Sequence, residues 1–112
     1  HCPGGNENRH LISSYELSKM KNDAVLINTA RGEVVDDEAL INALKSNIIR
    51  GAGLDVFEGE PNLNPNYLGC KNLVLLPHLG SATRETREAM GFRVMDNLED
   101  FFGNKAPRDQ IF

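Results

Sequence analysis

The sequence predicts an α/β fold built on a parallel sheet, and three observations support this prediction. Three short apolar stretches, at residues 24–28, 51–57 and 73–76, have the continuous hydrophobic character of strands in a parallel sheet. Segments with a helical spacing of apolar residues follow the first and the third stretch. A polar side chain comes at or just after the end of each stretch. Strands that alternate with helices are typical of parallel sheets, which bind ligands at their carboxyl edge.

The first part of the chain leads into the first strand. Residues 1–12 are predicted to form a loop, because a proline and two glycines at positions 3–5 interrupt regular structure. Ser13 or Ser14 is placed to cap a short helix over residues 15–20. A polar turn separates that helix from the first strand. Because this strand is apolar almost throughout, we expect it to be buried on both faces.

The second helix is predicted to begin at Asp36 or Asp37, where acidic side chains favour the positive end of a helix. Its apolar positions at helical spacing are Leu40, Ala43 and Leu44. Asn47 is a plausible stop. The second strand follows at residues 51–57, and its small residues allow a helix to pack closely on it.

The third strand and a long helix complete the predicted order. A loop with two prolines covers residues 58–71, and the four apolar residues of the strand at 73–76 predict burial on both faces. Pro77 ends that strand because it cannot donate to the ladder. The last helix is predicted from about Ser81, and Gly103 ends it. Its apolar positions are Met90, Val94, Leu98, Phe101 and Phe102.

Composition excludes several classes of function. The 112 residues are 40% hydrophobic and 25% charged, which is typical of a globular domain. A net charge of −4 with scattered basic residues argues against a nucleic-acid surface. No apolar run approaches the ~20 residues that a membrane span needs. Cys2 and Cys70 fit neither a metal site nor a disulfide framework, so we predict no metal and reduced thiols in an intracellular protein. Because the chain starts at His1 and its sheet is thin, we expect a fragment of a longer polypeptide.

Four side chains at the strand ends are the candidates for chemistry: Arg31, Asp55, Glu60 and His78. Parallel strands end at one edge of a sheet, so these groups are expected to converge. A guanidinium fork suits the carboxylate of a substrate. An imidazole exchanges a proton near neutral pH, and a carboxylate at its second nitrogen fixes the tautomer and favours the charged form.

Each candidate also has a simpler structural interpretation. Arg31 could be a surface arginine, and Glu60 could be a solvated acid in a loop. Asp55 could end its strand by bonding nearby backbone amides. His78 could be a buried histidine whose hydrogen bonds are satisfied. The placement of all four at strand ends favours the functional interpretation more than the residue types do.

Three ordered motifs carry a family resemblance: residues 25–36 (VLINTARGEVVD), 51–61 (GAGLDVFEGEP) and 77–83 (PHLGSAT). Together they resemble the D-isomer-specific 2-hydroxyacid dehydrogenases, and most closely the glyoxylate/hydroxypyruvate reductase branch. The resemblance implies that residues 1–80 are the C-terminal half of a Rossmann-like doubly wound parallel sheet that binds the cofactor. It implies that residues 81–112 are a long helix and tail that return to the substrate domain.

The resemblance also implies roles for single residues. Arg31 matches the arginine that binds the carboxylate and carbonyl of a 2-oxo acid, and His78 matches the acid that protonates the carbonyl oxygen as hydride arrives. Glu60 matches the acid that keeps this histidine protonated, and Asp55 matches the contact to the nicotinamide carboxamide. The other implied cofactor contacts are Thr29, Ala30, Arg31, His78, Gly80 and Ser81. Gly4 and Gly5 depart from the family pattern, which commonly has leucine and threonine there.

The implied function is the reduction of glyoxylate or hydroxypyruvate to the D-2-hydroxy acid by an oxidoreductase that uses NAD or NADP. The resemblance further implies a cytoplasmic homodimer with a small 2-oxo acid as its partner and no nucleic acid or membrane. The family's glycine-rich phosphate loop is absent from these residues, so we expect this chain alone to be inactive. Two alternatives stay open: an NAD(H)-sensing corepressor with the same site, and a structural piece whose final helix serves an oligomer interface.

Overall fold

The computed structural model describes residues 1–111 and confirms the α/β fold with a parallel sheet. Its strands lie in the order β1–β2–β3, and every pairing is parallel. The elements in chain order are α1 Ser14–Lys19, β1 Val25–Asn28, α2 Asp37–Lys45, β2 Gly51–Leu54, β3 Leu73–Leu75 and α3 Arg84–Phe102. Short 3-10 helices occupy Asn6–Asn8, Gly32–Val34 and Pro65–Gly69.

The helix starts follow from their capping residues. Ser13 caps helix α1 through a capping box, in which the backbone amide of Ser13 donates to Glu16 Oε2 over 2.9 Å. At α2, the Asp36 carboxylate accepts from the backbone amide of Ala39 over 3.0 Å. Helix α3 begins three residues after the predicted Ser81, because Thr83 rather than Ser81 accepts the first free backbone amide.

The second strand is shorter than predicted. It ends at Leu54 rather than at residue 57: the Asp55 amide still donates to the carbonyl of Asn28, but the Asp55 carboxylate accepts from the loop that carries His78. The Asp55 carbonyl accepts from the backbone amide of His78 over 2.9 Å instead of pairing with a neighbouring strand. Helix α2 ends at Lys45, and Asn47 takes the left-handed φ of 53° that suits a helix stop.

The core lies between the two short helices and one face of the sheet. Leu17 of α1 and Leu40 of α2 pack with Leu54 of the central strand, and Tyr67 closes the cluster. All four side chains are buried. Burying a side chain the size of leucine contributes about 1.5–3 kcal/mol, so each of these residues stabilises the packing of the helices on the sheet.

The other face of the sheet is not buried, and the prediction of burial on both faces is wrong within residues 1–111. Ile27 is 63% exposed and Val74 is 62% exposed. Both lie beside Gly53 in the register, so they point to the same side. Helices α1 and α2 pack together against the opposite face. The apolar run therefore indicates strand structure correctly, but it does not indicate that the second face of the sheet is buried.

The chain divides into two compact units, His1–Gly80 and the part from Ser81 onward. In the second unit, the 19-residue helix α3 has no buried residue. Its C-terminal tail returns along the helix, since Asn97 Nδ2 donates to Asp109 Oδ2 over 2.7 Å. The assignment of the two units to a cofactor domain and a return helix stays a prediction. Within residues 1–111, no helix combines the length and hydrophobicity that crossing a bilayer requires.

Candidate active site

The carboxyl ends of the three strands form one edge of the sheet. Asn28, Leu54 and Leu75 are neighbours in the parallel register, so the segments that follow them leave the sheet side by side. These segments contain the residues that the sequence singled out. The sheet edge therefore provides the common origin from which each candidate side chain extends.

His78 and Glu60 form a hydrogen-bonded pair. The distance between His78 Nδ1 and Glu60 Oε2 is 2.7 Å, and the imidazole side chain is 46% exposed. The second oxygen of Glu60 accepts from the backbone amide of Phe57 over 3.0 Å, which fixes the carboxylate on its loop. Since the carboxylate occupies Nδ1, Nε2 is the ring nitrogen that is left for a ligand.

Two separate clefts open near this edge. One, of about 440 Å³, is lined by Phe57, Glu60, Pro61, Pro77 and His78. The other, of about 290 Å³, is lined by His1, Cys2, Pro3, Thr29, Ala30 and Arg31. The structure thus brings Glu60 and His78 together, and it places Arg31 with the predicted cofactor contacts Thr29 and Ala30. The guanidinium of Arg31 donates from Nη1 to the carbonyl of Ala30 over 2.7 Å.

Asp55 holds the loop that carries His78. Its two carboxylate oxygens accept the backbone amides of Leu79 and Gly80, at 2.6 and 2.9 Å. This is the simpler structural role that the sequence left open for Asp55. The hydrogen bonds keep His78 in a left-handed backbone conformation with φ of 55°. A non-glycine residue in this region costs of order 1–3 kcal/mol, and such strain clusters at functional sites.

The arginine turn depends on residues that sequence reasoning missed. The buried Asn28 side chain accepts from the amide of Ala30 over 3.1 Å and donates to the carbonyl of Arg31 over 3.0 Å. Gly32 follows, and a Cβ there would collide with the carbonyl of Phe57. A polar residue at the end of an apolar strand, followed by glycine four residues later, was the available signal for this turn.

A second histidine lies in a carboxylate cluster that was also missed. His10 Nε2 is 3.0 Å from Glu58 Oε1, and His10 Nδ1 is 3.8 Å from Asp36 Oδ2. Arg9 forms an ion pair with the same Glu58 oxygen. No sequence spacing links these residues, since 48 positions separate His10 from Glu58. The cluster becomes visible only when the fold is known.

A buried pair lies beneath this cluster. The hydroxyl of Tyr67 donates to Asp37 Oδ1 over 2.7 Å. Burial raises the pKa of the Asp37 carboxyl, although the Tyr67 hydroxyl and the backbone amide of Glu58 stabilise its charged form. Burial, followed by the hydrogen bond to Asp37, raises the pKa of the Tyr67 hydroxyl. Within residues 1–111, no group of three or more histidine, cysteine or acidic side chains is arranged to hold a metal ion.

The family model described as D-isomer specific 2-hydroxyacid dehydrogenase, NAD binding domain, matches residues 1–80. The chain is 52% identical over 111 residues to a glyoxylate reductase of Thermococcus litoralis, covering 99% of this chain and 34% of that protein. It is 50% identical over 106 residues to glyoxylate/hydroxypyruvate reductase B of Erwinia tasmaniensis, covering 94% of this chain and 33% of that protein. The chain therefore spans about a third of the length of the curated relatives it matches.

A solved structure is similar over most of the chain. It is the NADPH-dependent glyoxylate/hydroxypyruvate reductase of Sinorhizobium meliloti, in complex with NADP and malonate. The TM-score is 0.86 at 44% sequence identity, and the match covers 90% of this chain and 32% of that one. The sequence comparison and the structure comparison thus both match this chain to glyoxylate/hydroxypyruvate reductases.

Proposed function

The chain belongs to the D-isomer-specific 2-hydroxyacid dehydrogenases, through their NAD-binding domain, and from this premise we propose that it supplies half of the active site of a 2-oxo acid reductase. The proposed substrates are glyoxylate and hydroxypyruvate, which the relatives' names include. The proposed product is the D-2-hydroxy acid. The observation that carries the proposal is the 2.7 Å pair of His78 and Glu60 in a cleft at the sheet edge.

His78 is the proposed proton donor. With Glu60 on Nδ1, the imidazole presents Nε2 to the cleft, where it donates a proton to the carbonyl oxygen of the substrate. Glu60 stabilises the charged ring and fixes its orientation. The hydride for the carbonyl carbon would come from a nicotinamide cofactor bound at this edge, and that chemistry belongs to the cofactor. The strained backbone of His78, held by Asp55, sets the direction in which the ring points.

Arg31 is the proposed carboxylate clamp. Its guanidinium has five N–H donors, and one nitrogen is engaged by the carbonyl of Ala30. The remaining donors suit a bidentate interaction with the planar carboxylate of a 2-oxo acid. We propose that the substrate spans from the Arg31 cleft to the His78 cleft, with its carboxylate at the first and its carbonyl at the second.

The donor set at this edge fits the nicotinamide end of the cofactor. A carboxylate has about four acceptor positions, and Asp55 uses two of them for backbone amides, so it keeps capacity for a carboxamide. We propose that Thr29, Ala30 and Gly80 line the same site. Ser81 begins the second unit, and its cofactor contact stays a prediction. The sequence contains no Gly-x-Gly-x-x-Gly motif for the pyrophosphate.

The test is steady-state turnover of the intact protein that carries this chain, with glyoxylate or hydroxypyruvate and either NADH or NADPH. We expect turnover that His78→Ala lowers about 10²- to 10⁴-fold in kcat. We expect Arg31→Ala to raise KM for the acid strongly, and more than it raises KM for the cofactor. Binding of NADH without turnover by the wild type would contradict the reductase and favour a sensor.

Two further properties are proposals of the same kind. We expect the 112-residue chain by itself not to oxidise NADH with glyoxylate, because it has no pyrophosphate motif. We also propose that the intact protein is a cytoplasmic homodimer, and sedimentation of that protein tests the oligomeric state. Helix α3 exposes apolar side chains such as Phe92 and Leu98, and exposed apolar surface of this kind supports an interface with a second copy of the protein.

A further inference from the structure

The segment after β2 carries two carboxylates that bind different histidines. Glu58 is bound by Arg9 and His10, and Glu60 is bound by His78. Only Gly59 separates the two acids, and it has a positive φ of 74°. The orientation of one carboxylate is therefore coupled to that of the other through three consecutive residues of backbone.

The Glu58 side of this segment is firmly anchored. Its side chain is 25% exposed and pairs with two side chains at once. Its backbone amide also stabilises the charged form of the buried Asp37 carboxyl, which lowers the pKa of that group against the effect of burial. By contrast, the Glu60 carboxylate is bound only by the Phe57 amide and His78 among the described residues. Two side chains from outside the segment therefore hold Glu58, whereas one, His78, holds Glu60.

The residues that hold Glu58 are themselves tied to the rest of the unit. The backbone amide of His10 donates to the carbonyl of Glu33 over 2.8 Å. Two residues later, the amide of Ile12 donates to the carbonyl of Val34 over 3.0 Å. Arg9 and His10 therefore connect a fixed backbone to the loop that carries Glu60.

We propose that Arg9 and His10 are positioning residues for the Glu60–His78 pair, and that they act through Glu58. The proposal rests on the proposed reductase function for its catalytic meaning, but the geometry it concerns is independent of turnover. With Glu58 held, the loop keeps Glu60 within hydrogen-bond distance of His78 Nδ1. When Glu58 is released, Glu60 moves away and the imidazole is no longer restricted to one tautomer.

The first experiment reads the tautomer of His78 directly. The intact protein that carries this chain is labelled with ¹⁵N-histidine, and long-range correlations between ring nitrogens and carbon-bound protons are recorded above the pH range in which imidazole titrates. In the wild type we expect the form with the proton on Nδ1. Glu58→Gln, Arg9→Gln and His10→Gln are expected to shift His78 towards the form with the proton on Nε2.

The controls separate positioning from general destabilisation. Glu88→Gln removes an ion pair of similar length, Glu88 with Arg84, on the exposed face of α3, and should leave the His78 spectrum unchanged. Arg9→Lys keeps a positive charge beside Glu58 and should restore most of the wild-type tautomer. A His78 spectrum that is the same in Glu58→Gln as in the wild type would overturn the proposal.

The second experiment uses the intact protein. We expect Glu58→Gln to lower kcat about tenfold, a part of the ~10²- to 10⁴-fold that a general acid contributes, with KM for the 2-oxo acid unchanged. A loss of kcat that only follows the folded fraction, measured by circular dichroism, would count against positioning. Should the wild type show no turnover, the reductase fails, while the His78 spectra still decide the positioning role.

Discussion

The molecule contains two histidine–carboxylate pairs that look alike and differ in one respect. His10 and His78 both have a left-handed backbone, with φ of 54° and 55°, and each has a ring nitrogen within 3.0 Å of a glutamate oxygen. At His10, both ring nitrogens face carboxylates, of Glu58 and Asp36. At His78, only Nδ1 has a protein partner among residues 1–111.

This difference separates a structural histidine from a candidate acid. The His10 ring is hydrogen-bonded at Nε2 and has a carboxylate 3.8 Å from Nδ1, so protein groups lie on both sides of it. A ring held at one nitrogen, with the other free of protein partners, is oriented and still able to react. The surroundings agree with this division. His78 lines a cleft at the carboxyl edge of the sheet, and His10 lies against the N-terminal end of α2 through Asp36. We therefore propose different roles for the two pairs, although their residue types are the same.

The largest expected effect is on kcat, when His78 or His10 is replaced by glutamine in the intact protein. His78→Gln should lower kcat about 10²- to 10⁴-fold, because it removes the proposed proton donor. His10→Gln should lower kcat by about tenfold at most, because it acts on the site only through Glu58. Steady-state kinetics with glyoxylate measures both. Equal losses in the two variants would remove the distinction drawn between the histidines.

The sequence predicts the parts of this arrangement that depend on neighbouring residues better than the parts that depend on contacts between distant positions. The strands, the helix caps at Ser13 and Asp36, and the sheet-edge position of His78 follow from local patterns. The assignment of Glu60 to His78 came from the family resemblance, and the structure brings the two together over 18 positions. Its catalytic meaning stays a prediction.

The rest of the site depends on contacts that no local pattern encodes. The Glu58 cluster joins residues 48 positions apart, and the Asp55 hydrogen bonds reach 24 and 25 positions along the chain. Strand burial was overestimated for a different reason. A continuous apolar run shows that both faces of a strand are suited to burial, but it does not show that both are buried. Within residues 1–111, only one face of the sheet is covered.

The next effect concerns how each histidine's backbone is held. A side chain, Asp55, holds the loop of His78, while a backbone carbonyl, of Glu33, holds His10. Asp55→Ala leaves the amides of Leu79 and Gly80 without their acceptor and should lower the free energy of unfolding by about 1–3 kcal/mol. Urea denaturation measures this.

Asp23→Ala is the matched control for that change. Asp23 is exposed and lies in a turn, so its loss should alter the free energy of unfolding by less than about 0.5 kcal/mol. If Asp55→Ala is no more destabilising than Asp23→Ala, the Asp55 hydrogen bonds do not hold the His78 loop.

A third prediction concerns the buried pair beneath Glu58. Tyr67→Phe removes the hydroxyl that donates to Asp37 and leaves a buried carboxylate short of a hydrogen bond. We expect a loss of about 1–3 kcal/mol in the free energy of unfolding, with kcat changed far less than by His78→Gln. Tyr15→Phe, at an exposed tyrosine, is the control and should change little. A large loss of kcat in a fully folded Tyr67→Phe protein would instead link this pair to the chemistry.

The smallest effect is a pH dependence of the free energy of unfolding, which we assign to Asp37, beneath the cluster of His10 and Glu58. Burial raises the pKa of Asp37 above its ordinary value of 3.8, so the folded chain keeps this proton to a higher pH than the unfolded chain does. The contribution of Asp37 to stability is therefore greatest below that ordinary value and is lost as pH rises through the raised pKa.

Asp37→Asn keeps an oxygen that accepts from Tyr67 but does not titrate. The free energy of unfolding of Asp37→Asn, minus that of the wild type, should increase as pH rises from 3.8 through this window. A difference that stays constant with pH in urea denaturation would mean that burial does not oppose the charge on Asp37.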